Sequence, residues 1–383
     1  MADIAKVNTV AAANIASIGG VAKANIGKIG NTNVPAGGAT LWCVVAEDGG
    51  IATAAHSDLN DWTGYDATGL GTQDHITLAH GKDGSGDPLW VAGTQDGNRE
   101  IRYSSDPTDG ADWADVSIAG DVFGVAWGND VWIAVGQAGE VHRSTNGTTW
   151  TQLDISGATG YSDSVTIWDV VTDGAGKWMC CQGANIFHST DDGATWALLI
   201  HLADTGGLDI DGSSSGGAFT STSMAYTDSR WCVFLWAAGG DNRTLVCHAP
   251  AADTSASSWA ICTVSGSAPT GQALIGKPAR RMAAGDGTVI IVQANRISRS
   301  TDGGQDWTLY GGTFPGTGLL PRTDARDVAT DGDGNWVAVH DSGRVSLSTD
   351  DGLTWVEQTG GQLTFPSSTL NIEAVASDVF LPV

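Results

Sequence analysis

Seven side chains have the types that could build a polar site along one axis: His75, Asp169, Arg280, Arg281, Arg326, Asp327 and Glu373. Two carboxylates facing one cleft at the right separation would suit glycoside hydrolysis, and Asp169 with Asp327 is the pair to weigh. Three guanidinium groups, from Arg280, Arg281 and Arg326, would suit an anion. The competing expectation is mutual satisfaction, with the arginines paired to Asp169, Asp327 and Glu373, because structural ion-pair networks also cluster charge. No residue is assigned a catalytic role on this basis. His142, His188 and His248 are spread along the chain and share no metal-ligand spacing, so no metal is expected. Asp331-Gly332-Asp333-Gly334-Asn335 imitates the start of a calcium loop but lacks the glycine and distal glutamate, and reads better as a turn. Phosphate-loop, dinucleotide, H-E-x-x-H and G-x-S-x-G patterns are absent, and no cofactor is implied.

The elements that would position these residues are set by a repeat. Ser348-Thr349-Asp350-Asp351-Gly352-Leu353-Thr354-Trp355 is echoed by Ser300 to Trp307 (with Asp302 and Gly304) and by Ser189 to Trp196 (with Asp191 and Gly193). A shorter copy runs from Ser144 through Asn146 and Gly147 to Trp150, and a longer one from Ser104 to Trp113. In such a string Asp or Asn accepts turn amides, Gly takes a left-handed conformation, the Ser hydroxyl accepts another amide and Trp covers the turn. A second Trp recurs upstream of each: Trp42 before Trp62, Trp90 before Trp113, Trp132 before Trp150, Trp178 before Trp196, Trp231 before Trp259, and Trp336 before Trp355. Val289-Ile290 takes its place before Trp307. With a third apolar run ahead of each upstream Trp, every unit reads as four short strands over about 45 residues, the arithmetic of a propeller blade.

These strings resemble the Asp-box of sialidase-like β-propellers, also called the BNR repeat. The resemblance implies an all-β, seven-bladed β-propeller and covers the chain from residue 39 to 383. The first unit starts at its second strand, Leu41 to Val45, while Ile372 to Asp378 is left over at the other end. The C-terminal strand is therefore expected to complete blade 1 and close the ring, removing an open sheet edge. Sialidase-like enzymes also carry an arginine cluster, a Tyr/Glu nucleophile pair and an R-I-P motif. Ile101-Arg102-Tyr103 is the nearest local string and falls on a third strand, so sialidase activity loses most of its support.

Residues 1–38 form a separate arm with an eleven-residue repeat in which Ile4 and Val7, Ile15 and Ile18, and Ile26 and Ile29 recur. The spacing fits three helical turns, but Gly19-Gly20 and Gly27 interrupt it, leaving short helical pieces or an extended arm open. The arm carries Lys6, Lys23 and Lys28 against Asp3, opposite in sign to the rest of the chain. Runs of this type resemble segments of tailed-bacteriophage structural proteins.

The formal net charge of −25 repels nucleic-acid phosphate and anionic lipid, so neither is expected as a partner. No stretch approaches the ~20 apolar residues of a membrane helix. Six cysteines do not form a disulfide framework at this length; Cys43, Cys180 and Cys232 read as buried core, and Cys247 with Cys262 is the one pairing that adjacent strands could make.

The function these features imply is non-enzymatic: a virion component of a tailed phage, on the surface of capsid or tail. The arm would anchor it to other virion proteins, with self-association also open. The exposed propeller would decorate the particle or bind host-surface glycan, for which Tyr65, Tyr161 and Tyr310 are stacking candidates. The alternatives are a sialidase-like glycoside hydrolase, a free carbohydrate-binding propeller, or a cellular assembly factor similar to photosystem assembly proteins.

Overall fold

The computed structural model describes residues 40–65, 74–95, 97, 99–202, 219–227, 230–237, 244–251, 258–265, 281–293, 296–310, 325–358, 363, 365 and 370–379, with four backbone pairs in the N-terminal arm. The described propeller is all-β and has seven blades. Blade 2 runs His75–Lys82, Pro88–Thr94, Glu100–Ser104, Ala114–Ser117, and blade 3 runs Val122–Gly128, Val131–Gly136, Val141–Ser144, Thr151–Leu153. Blade 4 comprises Ile167–Thr172, Trp178–Gln182, Asn185–Ser189, Ala197–His201; blade 5 comprises Phe219–Thr227, Arg230–Ala237, Thr244–Pro250, Ala260–Ile261. Blade 6 is Arg281–Gly285, Thr288–Gln293, Arg296–Ser300, Asp306–Tyr310, and blade 7 is Ala325–Thr330, Trp336–His340, Arg344–Ser348, Val356–Glu357. Strands within a blade are called A to D from the inside outward.

Blade 1 is closed as the leftover segment requires. Its A strand is C-terminal, Ile372–Ser377, and pairs antiparallel with Leu41–Ala46, followed by Ile51–Ala55 and Trp62–Tyr65. The joint is reinforced by Asp378, whose carboxylate accepts the Leu41 amide at 2.8 Å while its own amide donates to the Leu41 carbonyl at 3.0 Å. The seven A strands pack side by side in a complete cycle around the axis.

Each blade is covered on both faces by its neighbours, which explains why the B strands read as continuous apolar runs rather than alternating ones. Val131–Gly136, Trp178–Gln182 and Trp336–His340 are buried at every position. The core lies between the blades, in seven clusters, one per seam. Both tryptophans of a blade enter the seam with the preceding blade: Trp178 and Trp196 pack with Ile133 and Val135, and Trp336 and Trp355 with Ile290 and Val292. That double use of Trp is what the pairwise spacing in the sequence encodes.

Blade 6 has a fifth strand that the repeat did not announce. Thr263–Ser265 leaves blade 5 and pairs in parallel with Asp306–Thr308 on the outer edge. In the arm, Ser17–Ile18 pairs with Val21–Ala22 and Lys28–Ile29 with Thr32–Asn33, two extended hairpins offset by the eleven-residue repeat. Ile4, Val7, Ile15 and Ile26 lie outside the described residues, as do the side chains of Ile18 and Ile29. Among the described residues no helix is long and apolar enough to cross a membrane.

Candidate functional site at the axial channel

The side chains nearest the axis are set by a recurrent defect in the A strands. In six blades the A–B register slips by one residue, at Ile76, Phe123, Trp168, Thr222, Arg326 and Glu373. A bulge of this kind leaves one residue unpaired and re-aims its neighbours. The resulting ring is two-sided. Blades 2 to 4 contribute apolar Ile76, Phe123 and Trp168, all half-buried, with Phe123 and Trp168 in edge contact at 4.9 Å. Blades 7 and 1 contribute Arg326 and Glu373.

In blades 4, 5 and 7 the residue after the bulge links its blade to the next. Asp169 of blade 4 accepts the Met224 amide (2.8 Å) and the Ser223 hydroxyl (3.1 Å) of blade 5. Ser223 in turn accepts the Met282 amide of blade 6 at 2.9 Å. Asp327 of blade 7 accepts the Val375 amide of blade 1 at 3.0 Å and its own neighbour Val328 at 2.8 Å. At the matching position of blade 3 stands Gly124, where a Cβ would lie 3.0 Å from the Asp169 Cα, so the seam there closes by contact instead.

Arg281 occupies the same position in blade 6 and reaches across the axis. Its Nη2 donates to the Phe123 carbonyl of blade 3 at 2.5 Å and the Ile76 carbonyl of blade 2 at 3.3 Å, and its Nη1 lies 3.5 Å from Asp169 Oδ1. One guanidinium therefore ties blade 6 to blades 2, 3 and 4. Burial pushes both axial carboxyls up, Asp327 to about 6, while the Arg281 charge and the backbone amides oppose the rise. The Asp169 charge adds to the rise at Asp327.

The arginines do not converge on one point. Arg326 pairs with Glu373 of blade 1 at 2.9 Å and with Asp341 of its own blade. Asn371 donates to both Glu47 oxygens at 2.9 Å, extending this polar group along the seam of blades 7 and 1. Arg280 lies outside the described residues. His75 is fully buried in blade 2. Sequence reasoning found the axial residues from their repeat positions but missed the bulges, the reach of Arg281 and the Phe123–Trp168 contact. A one-residue register slip leaves no mark on hydrophobic spacing at that length.

The recurrent turns join C to D strands and act between blades. Ser189 Oγ accepts the Gly193 amide at 3.0 Å and donates to Asp191 at 2.7 Å, while Asp191 accepts the Thr195 amide at 2.9 Å. Ser348 and Asp350 repeat this with Gly352 and Thr354, and Ser300 and Asp302 with Gly304 and Asp306. In the shorter copy Ser144 accepts from Gly147 and Asn146 from Thr148. Trp150, Trp196, Trp307 and Trp355 each donate the indole N–H to the carbonyl of their turn glycine. Against the opposing effect of slight burial, these hydrogen bonds hold Asp191, Asp302 and Asp350 below the usual carboxylate range. They are structural acceptors, not acids. Gly352, at φ 74°, seats against the preceding blade, where a Cβ would fall 2.1 Å from Ile290 Cδ1; the matching contact of Gly193 is Ile133 at 2.5 Å.

The remaining sequence candidates stay separate. Burial lowers His142, His188 and His248, and no three His, Cys, Asp or Glu side chains are grouped to hold a metal ion among the described residues. Asp331 accepts the Asp333 and Asn335 amides and lies 3.4 Å from His56 of blade 1, so the calcium-like string is a turn that buttresses the closing seam. Tyr65 and Tyr161 are half-buried, and the side chain of Tyr310 is outside the described residues. The expectation that Cys247 and Cys262 could face each other is corrected by register. Cys247 opposes Ile261, one residue away, which turns Cys262 to the other side of the blade. Cys247 packs toward blade 4 and Cys262 toward blade 6. Both are free thiols, raised to about 12 by burial first of all.

No family model matches the chain, and no curated protein matches it. Solved structures do. YCF48 from Cyanidioschyzon merolae aligns with a TM-score of 0.50 at 13% identity, over 76% of this chain and 86% of that one. The WD40 β-propeller domain of Doa1 aligns with a TM-score of 0.50 at 13% identity, over 85% and 92%. U3-55K aligns with a TM-score of 0.50 at 11% identity, over 86% and 90%. At these identities the likeness is one of fold: this chain is a seven-bladed β-propeller.

Proposed function

We propose that this chain is a non-enzymatic structural and interaction protein of a tailed-phage virion, its turns being Asp-boxes of the sialidase-like type. The propeller is the module exposed on capsid or tail, and residues 1–38 anchor it to neighbouring virion proteins. The observation that carries the reading is the commitment of the axial polar residues. Asp169, Asp327, Arg281 and Arg326 each bond to another blade, so the groups that a hydrolase would use as acid, base or anion clamp hold the ring together. Beside this stands an arm with an eleven-residue apolar repeat and a net positive charge, unlike the acidic propeller. The acidic propeller argues against nucleic acid and membrane insertion as partners. The test is incorporation: particles assembled with an arm-deleted chain should lack the propeller while retaining the rest of the virion. Normal incorporation without residues 1–38 would remove the anchoring role.

A second reading, host-glycan binding by the same propeller, is favoured by the half-buried Phe123–Trp168 pair on the apolar side of the axial ring. Sugar C–H faces stack on aromatic rings, and Arg326 and Glu373 stand on the opposite arc. Binding on a broad glycan panel that disappears in Trp168→Ala would support it; a flat panel would remove it.

A further inference from the structure

Three bulge residues make an apolar corner on the axial ring. Ile76, Phe123 and Trp168 come from the consecutive blades 2, 3 and 4, and all are half-buried. The Phe123 and Trp168 rings lie 4.9 Å apart and are inclined by 66° to each other. Rings in edge contact leave an L-shaped corner, against which the C–H face and the rim of a pyranose can both rest.

The charged groups of the same ring decide what such a sugar can carry. Among the described residues two guanidinium groups stand at the axis, and carboxylates already match both. Arg281 Nη1 lies 3.5 Å from Asp169 Oδ1, while its Nη2 donates to the Phe123 and Ile76 carbonyls. Arg326 Nη1 meets both oxygens of Glu373, at 2.9 and 3.1 Å, and its Nε donates to Asp341. Glu47 adds its charge to the pull on Arg326 and accepts Asn371 through both oxygens. Asp327 is buried within electrostatic reach of Arg281 and Asp169. Glu47, Asp169, Asp327, Asp341 and Glu373 therefore outnumber Arg281 and Arg326.

An acidic sugar brought to this corner would find both guanidiniums taken and a surplus of like charge. A like charge within ~8 Å, in a site of effective dielectric constant near 20, weakens binding by roughly tenfold. A sugar hydroxyl meets the opposite situation, because it donates and ionised carboxylates only accept.

We propose, resting on the reading of this ring as a glycan site, that the axial mouth takes a sugar without an acidic group, a neutral hexose or N-acetylhexosamine, and rejects sialylated and uronic-acid glycans. The sugar stacks on Trp168 and Phe123 and turns hydroxyls toward Glu373 and Asp341. Calorimetric titration of the full chain tests this with three probes: N-acetyllactosamine, its sialylated form, and a trisaccharide of N-acetylglucosamine. A neutral probe should bind at least about tenfold more tightly than the sialylated one. Trp168→Ala should abolish that binding. The Asp341→Asn, Glu373→Gln double variant frees Arg326 and removes two negative charges, and it should shift the preference toward the sialylated probe by at least about tenfold. The comparison of probes on the unaltered protein needs no variant, so a double variant that fails to fold leaves it intact. Equal or tighter binding of the sialylated probe, lost in Trp168→Ala, would overturn the proposal and leave the glycan reading standing. Neutral binding that survives Trp168→Ala would put the sugar elsewhere and overturn the proposal, as would an unchanged preference in the folded double variant. Heat from none of the three probes would overturn the proposal together with the glycan reading.

Discussion

Asp327→Asn isolates the energetics of the axial network. Asp327 is buried and its carboxyl is raised to about 6 from 3.8, chiefly by burial. A carboxyl whose pKa rises on folding binds protons more tightly in the folded state. Its contribution is therefore fully favourable below the unfolded value, near pH 4, and is lost as pH climbs through about 6. A shift of this size corresponds to about 3 kcal/mol, at 1.36 kcal/mol per unit. The variant has no such titration. It keeps one acceptor but turns an amide N–H₂ toward the Val328 or the Val375 amide, which costs roughly 1–3 kcal/mol at every pH. The other carboxylates, including the turn aspartates whose shifts have the opposite sign, change with pH in both proteins and largely cancel in the difference. Urea unfolding of both proteins from pH 4 to pH 7.5 gives that difference. The wild type should be the more stable at pH 4, by several kcal/mol, and the gap should shrink by about 3 kcal/mol by pH 7.5. A gap that stays constant across the range would refute the assignment of Asp327 as a desolvated carboxyl.

Other substitutions separate backbone, contact and charge effects. Gly352→Ala meets both a left-handed φ and the Ile290 side chain and should cost about 2–5 kcal/mol, whereas Gly287→Ala meets only the left-handed φ and should cost about 1–2 kcal/mol; thermal unfolding ranks the two. Ser189→Ala removes the acceptor of a buried Gly193 amide and should lower stability by about 1–3 kcal/mol without changing the far-UV spectrum. Arg281→Met leaves two buried carboxylates without their cation and should destabilise the ring by about 3–5 kcal/mol, with a smaller loss near pH 4, where Asp327 is protonated.

The parts of this fold that were legible in the sequence are those that recur. Gly147, Gly193, Gly304 and Gly352 sit at fixed distances before Trp150, Trp196, Trp307 and Trp355 because each turn must seat against the preceding blade and cap itself with an indole. The closing strand was legible because Ile372–Ser377 was a unit without a blade and Leu41–Ala46 a blade without its first strand. What occurs once was hidden. Thr263–Ser265 is too short to register as a strand, and its parallel pairing comes from tertiary placement. The span of Arg281 to Phe123 joins residues 158 positions apart through a carbonyl, and any residue type presents that acceptor. Cys247 and Cys262 are neighbours in strand order, but a single residue of register decides which face each thiol occupies.

The most direct test of the account is cryo-electron microscopy of intact particles from the source of this chain. The account predicts seven-bladed density on the outer surface of capsid or tail, with residues 1–38 continuous into a neighbouring virion protein. Particles without the propeller, or with the propeller held through its blades while the arm touches no other virion protein, would contradict it.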